Sequence, residues 1–273
     1  MERLIEKPVV WWVLIIAAAG ALGGWYFWLT RQPAPPAPPP AVTAPQPVET
    51  APATAPPPQP AIKNPIETPP TAAALPGLDQ SDAAIAEALA DVFGARALHG
   101  LLNTDQVIHR IVATIDNLPR QKASVETWPV KPVGGRFLVA QSGDNMVIRA
   151  DNAIRYAAYM QLVNAVDTAK LVAVYVKFYP LFQQAYRDLG YPQGYFNDRL
   201  VEVIDDLLAA PDPSPPVPVN APHAMYQYVD PGLEARSAGQ KIMVRIGPTN
   251  EAAMKAKLRD IRKAVAKEAP QAQ

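Results

Sequence analysis

Asp198, Asp205 and Asp206 form the densest group of side chains in this chain that could do acid and base work. Two carboxylates serve that chemistry when their surroundings pull their pKa values apart, one staying protonated as donor while the other stays charged. A wall-active hydrolase would hold such a pair roughly 5 to 10 Å apart in an inward cleft. The spacing argues against it. Asp198 reads as a helix cap, and successive residues on a helix diverge by about 100°, so at most one of Asp205 and Asp206 faces inward. Other reactions have less to work with. His99, His109 and His223 lack the one-turn spacing of a helical metal pair, so neither a metal nor a cofactor is expected. With no cysteine there is no thiolate chemistry and no disulfide. Gly239-Gln240-Lys241 lacks the glycine spacing and the following Ser or Thr of a phosphate loop. Ser142 stands before a turn glycine rather than inside a Gly-x-Ser-x-Gly elbow. No catalytic residue is assigned.

The second constellation is aromatic. Tyr175, Tyr179, Phe182 and Tyr186 fall at i, i+4, i+7 and i+11, one face of a helix, and Tyr191, Tyr195 and Phe196 follow. Such rings either pack a core, where they bury large areas, or line a groove for an extended ligand such as a glycan or peptide. On the groove reading the binding residues are Tyr156, Tyr179, Gln183, Tyr186, Tyr191, Asn197, Asp198 and Arg199. Gln184 adds a further hydrogen-bonding group, and Pro180 would bend the face.

These residues must be carried by helices, and what precedes the helices is informative. Residues 9–29 are an uncharged apolar run of 21 residues, long enough to cross a hydrocarbon core of about 30 Å once. Trp11 and Trp12 near one end, and Trp25, Tyr26 and Trp28 near the other, suit the two interfacial belts. Arg3 and Lys7 precede the run while only Arg31 follows closely, which places the amino terminus in the cytoplasm. A cleaved signal peptide with Ala19-Gly20-Ala21 as its site is the rival, opposed by the apolar residues that continue to Leu29. Between positions 33 and 76 lie 17 of the 32 prolines, interleaved with alanine. That composition favours extended polyproline II with no ladder of hydrogen bonds, either a plain spacer or a ligand for a proline-reading groove.

From residue 78 onward the chain holds 21 basic and 21 acidic residues, a balance that excludes an electrostatic case for nucleic acid. Ser81 is placed to cap a helix that Gly94 stops. A short helix follows from Ala95, and a stronger one runs from Thr104 to Asn117-Leu118-Pro119. Residues 137–148 read as a β-hairpin around Ser142-Gly143-Asp144-Asn145. Helical spacing resumes after Asp151 or Asn152 with Ile154, Ala157, Ala158, Leu162 and Val166, and Asp167 caps the next helix. Pro180 would kink or break that helix, and Leu181 to Gly190 continues helical. Asn197 or Asp198 caps the following one. Residues 211–222 read as a rigid loop, residues 225–229 as a strand that could join the hairpin, and Asp230-Pro231 as the start of a helix reaching Ile246. A basic amphipathic helix from about Asn250 closes the chain, either a solvated face or a contact for an anionic polymer or lipid surface.

The expected fold is therefore mainly α: a single transmembrane helix, a disordered Pro-rich linker, and a C-terminal helical domain with a small β-hairpin or three-stranded sheet. The divisions are 1–8, 9–29, 30–77, 78–268 and a tail at 269–273. Asp116-Asn117-Leu118-Pro119, Arg155-Tyr156, Tyr179-Pro180-Leu181-Phe182-Gln183-Gln184-Ala185-Tyr186, Leu189-Gly190-Tyr191-Pro192, Phe196-Asn197-Asp198-Arg199, Gly239-Gln240-Lys241 and Arg245-Ile246-Gly247-Pro248 together resemble bacterial domain-of-unknown-function family 3014. That resemblance implies an anchored envelope protein and brings no catalytic residue. The span, spacer and domain also resemble the layout of TonB-type energy transducers, but residues 9–29 lack the polar Ser and His of such spans. The expectation is an inner-membrane, single-pass protein whose periplasmic domain is a non-enzymatic binding or scaffold module for peptidoglycan or envelope proteins. A wall hydrolase and a trans-envelope force or signal coupler are the alternatives.

Overall fold

Helix starts in this chain are set as much by distant side chains as by local caps. A computed structural model describes residues 61–67, 75–143, 145–222 and 225–266, all within one unit, Pro57–Gln273. The apolar run at 9–29, most of the proline tract, His223 and the tail at 269–273 lie outside the described residues. Among the described residues no helix is long and apolar enough to cross a membrane.

Helix α1 (Asp82–Phe93) follows a 3-10 turn at Leu78–Gln80 and ends at Gly94, whose φ of 83° suits a residue without a Cβ. Ser81 is not the cap it was expected to be: its backbone is already helical, and its hydroxyl donates to the Leu78 carbonyl at 2.7 Å. Asp82 does the capping, but for another helix. Its carboxylate accepts from the Gln106 and Val107 amides at 2.7 and 2.9 Å, so α3 (Val107–Asn117) begins three residues later than Thr104. Helix α2 (Ala95–Leu101) lies between them.

The sheet has four strands, one more than the largest count expected. Strands β1 (Val139–Ser142) and β2 (Asn145–Ile148) form the hairpin with Val139 opposite Ile148. Strand β3 (Pro218–Asn220) pairs antiparallel with β2, and β4 (Gln227–Tyr228) pairs with β3, so the order is β1-β2-β3-β4. Residues 211–222 are thus not loop throughout. A proline tolerated as the first strand residue disguises β3, and Val219 is its one buried anchor. The sheet packs on Leu233 and Val244.

Helix α4 (Asn152–Arg155) breaks from α5 (Ala157–Ala165) at Tyr156, and Ile154 is 73% exposed while Val166 is buried. Asn152 is buried as well. It exchanges hydrogen bonds with the backbone of Leu138, which ties the hairpin to this corner.

Helix α6 (Thr168–Asp188) runs 21 residues, with Asp167 accepting from the Lys170 amide. It is not broken at Pro180. Phe178, Leu181, Phe182, Ala185 and Tyr186 are all buried on either side of the proline, and that packing outweighs one missing hydrogen bond. Helix α7 (Phe196–Leu208) follows a turn at Gly190 and starts before, not at, Asn197 and Asp198. The stretch after Asp230 forms two helices, α8 (Pro231–Glu234) and α9 (Ala238–Arg245), because Ser237 caps a new start. Helix α10 (Pro248–Val265) begins at its proline, two residues before the expected Asn250. The largest core cluster joins α1, α2, α3, α6 and the start of α7.

Candidate functional site

The aromatic repeat on α6 folds into the core. Phe182 stacks on Phe196 at 5.7 Å with rings 5° from parallel, and Tyr175 and Tyr186 tilt against the same Phe196. Phe196 is fully buried. Around this stack the polar side chains are spent on backbone groups that the fold would otherwise leave unpaired. The Gln183 carbonyl oxygen accepts from the Phe196 amide at 2.9 Å and from the Tyr179 hydroxyl at 3.2 Å, while its amide donates to the Gly194 carbonyl at 2.7 Å. Asn197, fully buried, accepts from the Tyr175 hydroxyl at 3.0 Å and donates to the carbonyls of Asn64 and Val265, both at 2.9 Å. Val265 is the last residue of α10, so Asn197 closes that helix.

Asp198 faces the amino-terminal stretch. Its carboxylate accepts from the Lys63 amide at 3.1 Å and from the Asn64 amide at 2.7 Å, with the Asn64 side chain adding a third bond at 3.2 Å. Residues 61–67, inside the tract whose composition suggests an unfolded linker, are therefore held against the first turn of α7 by Asn197 and Asp198. A carboxylate taking two consecutive backbone amides is a strong grip because each bond is charge-assisted.

A second hub lies on the buried carboxylate of Asp116, at the end of α3. Arg199 donates to it at 3.1 Å and to the Asp116 backbone carbonyl at 3.0 Å, Arg120 donates to the carboxylate at 2.5 Å, and the Tyr191 hydroxyl at 3.2 Å. Tyr191 stacks on Tyr186 at 4.6 Å. The Asp116 carboxylate raises the Arg120 pKa above its ordinary range by hydrogen bond and charge. Seven of the eight residues named for a groove thus gather between α6 and α7. Tyr156 does not join them; it packs in a separate cluster with Ala210, Met243 and Ile246.

The acids considered for catalysis are committed too. Asp205 pairs with Arg262 at 2.5 and 3.0 Å, and Asp206 accepts from Ser237 at 2.7 Å and Gln240 at 3.0 Å. The two diverge, one toward α10 and the other toward α9. Gly239 allows this contact, since a Cβ there would stand 2.5 Å from Leu207 and its amide reaches the Leu118 carbonyl at 2.9 Å. Among the described residues no group of three or more His, Cys, Asp or Glu gathers to hold a metal.

A family model described as a protein of unknown function, DUF3014, matches residues 107–262. The chain belongs to that family. No curated protein and no solved structure matches it. The DUF3014 span begins with α3 and contains both hubs, Asp116 with its arginines and Asn197 with Asp198. Asn64, by contrast, lies outside the DUF3014 span. Its docking joins the preceding stretch to the matched region. Sequence reasoning missed Asp116, Arg120 and Asn64. Asp116 stood in view inside Asp116-Asn117-Leu118-Pro119 but read only as a helix end; nothing marked Asn64.

Burial of tyrosine hydroxyls gives this DUF3014 domain an alkaline limit. Loss of hydration pushes Tyr186 and Tyr228 from 10.0 up to about 12 and also raises Tyr175 well above its ordinary range. A raised pKa means the folded state favours the protonated form. This stabilisation is complete below pH 10.0 and drains away as pH rises through about 12. Urea midpoints are expected to be level approaching pH 10.0 from below and to fall steeply above it. A midpoint independent of pH across that window would refute the assignment.

Proposed function

We propose that the chain is a non-enzymatic binding or scaffold module of the bacterial envelope. Residues 9–29 hold it at the inner membrane, the amino terminus is cytoplasmic, and the helical domain is periplasmic. One observation carries this reading: Asp198, the best placed of the candidate acids, holds the amides of Lys63 and Asn64 rather than facing an open cleft. The polar set around α7 thus binds the domain's own tether, which is what a module positioned at the end of a stalk requires. Its partners are peptidoglycan or envelope proteins. The wall-hydrolase alternative is weaker, because Asp198 and Asp205 are each engaged by other groups. Force or signal coupling keeps one supporting observation, since the grip at residues 63–64 is where a pull along the tether would enter the domain. Replacing residues 9–29 with an unrelated apolar helix tests that reading; unchanged cellular function would discard it.

The test of the main proposal is a labelling enzyme fused after Gln273. Tagging of wall-associated and periplasmic neighbours is expected, and tagging confined to cytosolic proteins would overturn it. The grip has its own test. In Asp198→Ala the amides of Lys63 and Asn64 should exchange with solvent at least about tenfold faster, since charge-assisted bonds contribute roughly 1.5 to 3 kcal/mol. Core amides in α6 should be unaffected. Unchanged exchange at Lys63 and Asn64 would show that something else holds the stretch.

A further inference from the structure

The helical half of the domain contains an apolar slot. One cavity of about 170 Å³ lies among α1, α3, α6, α7 and α10, and another of about 190 Å³ adjoins it toward α2. Leu89, Ile111 and Leu171 line both, so the two are neighbours that share these side chains as a wall. The walls of the first are apolar apart from the Tyr175 hydroxyl, which is spent on Asn197. Ile111, Ile115, Leu171 and Leu200 are only half-buried, so the slot reaches the surface. A cavity of this size with no polar partner for water stays dry and accepts apolar guests.

The charge beside it is specific. Val174 lines both the slot and a surface cleft formed with Asp91, Lys170 and Lys177. Both lysine side chains are exposed, and among the described residues neither ammonium has a carboxylate within 4 Å. Lys177 rests over the Phe178 ring at 5.4 Å. Asp91 lies in the same cleft and Asp167 within electrostatic reach of Lys170, but the two exposed ammonium groups next to an apolar slot match an amphiphile with one chain and an anionic head. We propose that this slot binds a free single-chain fatty carboxylate, with its chain between Leu89, Ile111 and Leu171 and its head at Lys170 and Lys177.

The proposal stands apart from the tether grip. Its test uses the full chain in neutral phosphatidylcholine discs and a dodecanoate probe bearing a diazirine at the far end of its chain. After irradiation, insertion sites are mapped by mass spectrometry. Insertion should concentrate on α1, α3 and α6 around Leu89, Ile111 and Leu171, and excess dodecanoate should abolish it. Ile111→Trp, which fills the slot, should cut it about tenfold. Should that variant fold poorly, the surface double variant Lys170→Glu with Lys177→Glu keeps the question open to refutation. There, dodecanoate labelling should fall about tenfold while the matching dodecanol probe is unaffected. Labelling spread evenly over the surface, labelling confined to residues 9–29, or equal labelling by the acid and a dodecylammonium probe would each overturn the proposal. So would binding seen only with vesicles of two-chain anionic lipid.

Discussion

Phe196→Ala is expected to destabilise the domain by about 4 kcal/mol, the usual cost of emptying a buried aromatic site. The ring is fully buried, lies flat on Phe182, and meets Tyr175 and Tyr186 from the sides, so no neighbour can collapse into the vacancy without losing its own contacts. With total stabilities of about 5 to 15 kcal/mol, such a loss leaves a large unfolded fraction in mild urea. Urea denaturation followed by far-ultraviolet circular dichroism measures it. A cost below about 1 kcal/mol would mean that the aromatic face is a yielding surface after all, and the groove reading of α6 would return.

Asp116→Ala should cost about 3 kcal/mol, for a different reason. The carboxylate is buried and receives three donors, from Arg120, Arg199 and the Tyr191 hydroxyl, while a further Arg199 bond goes to the Asp116 backbone carbonyl. Truncation leaves the inner end of Arg199 without its anion in a partly dry site, where bonds to a charged group contribute roughly 1.5 to 3 kcal/mol. Arg120 matters less because it is more than half exposed to solvent, which screens it. The melting temperature should therefore drop by roughly 6 to 12 °C at this domain size. Asp116→Asn should lose less, since an amide oxygen still accepts from Tyr191. Equal losses for the two variants would assign the whole cost to the missing charge, whereas an Asp116→Asn variant as stable as the parent would argue against charge as the cause.

Much of this architecture could be read before any coordinates. Gly94, Asp167, the turn at Gly143 and Asp230-Pro231 mark boundaries where the structure has them, because each signal is local: a positive φ, a short side chain near an amide, a ring that presets φ. The failures share a cause. Ser81 looked like a cap, but the start that needed capping belonged to α3 and was served by Asp82 from another helix. Pro180 looked like a break, but burial on both sides holds α6 together. Asn197 and Asp198 were noticed as polar residues near a helix start, yet their partners, Asn64 and Val265, sit far away in sequence. No periodicity reports such a pairing. The candidate groove was legible as a set of residues and ambiguous as a role, because buried rings with polar tips look alike in sequence whether they face ligand or backbone.

Two docked points flank residues 68–74: Lys63 and Asn64 on Asp198, and Leu75 against the core. The number of residues between them therefore sets only a closure entropy that changes slowly with added residues. Shortening or lengthening that stretch should leave the reach of whatever precedes Ala61 as it was. Under the proposed envelope role, deletions ahead of Ala61, and not between the two docked points, would decide how far from its anchor the domain can act.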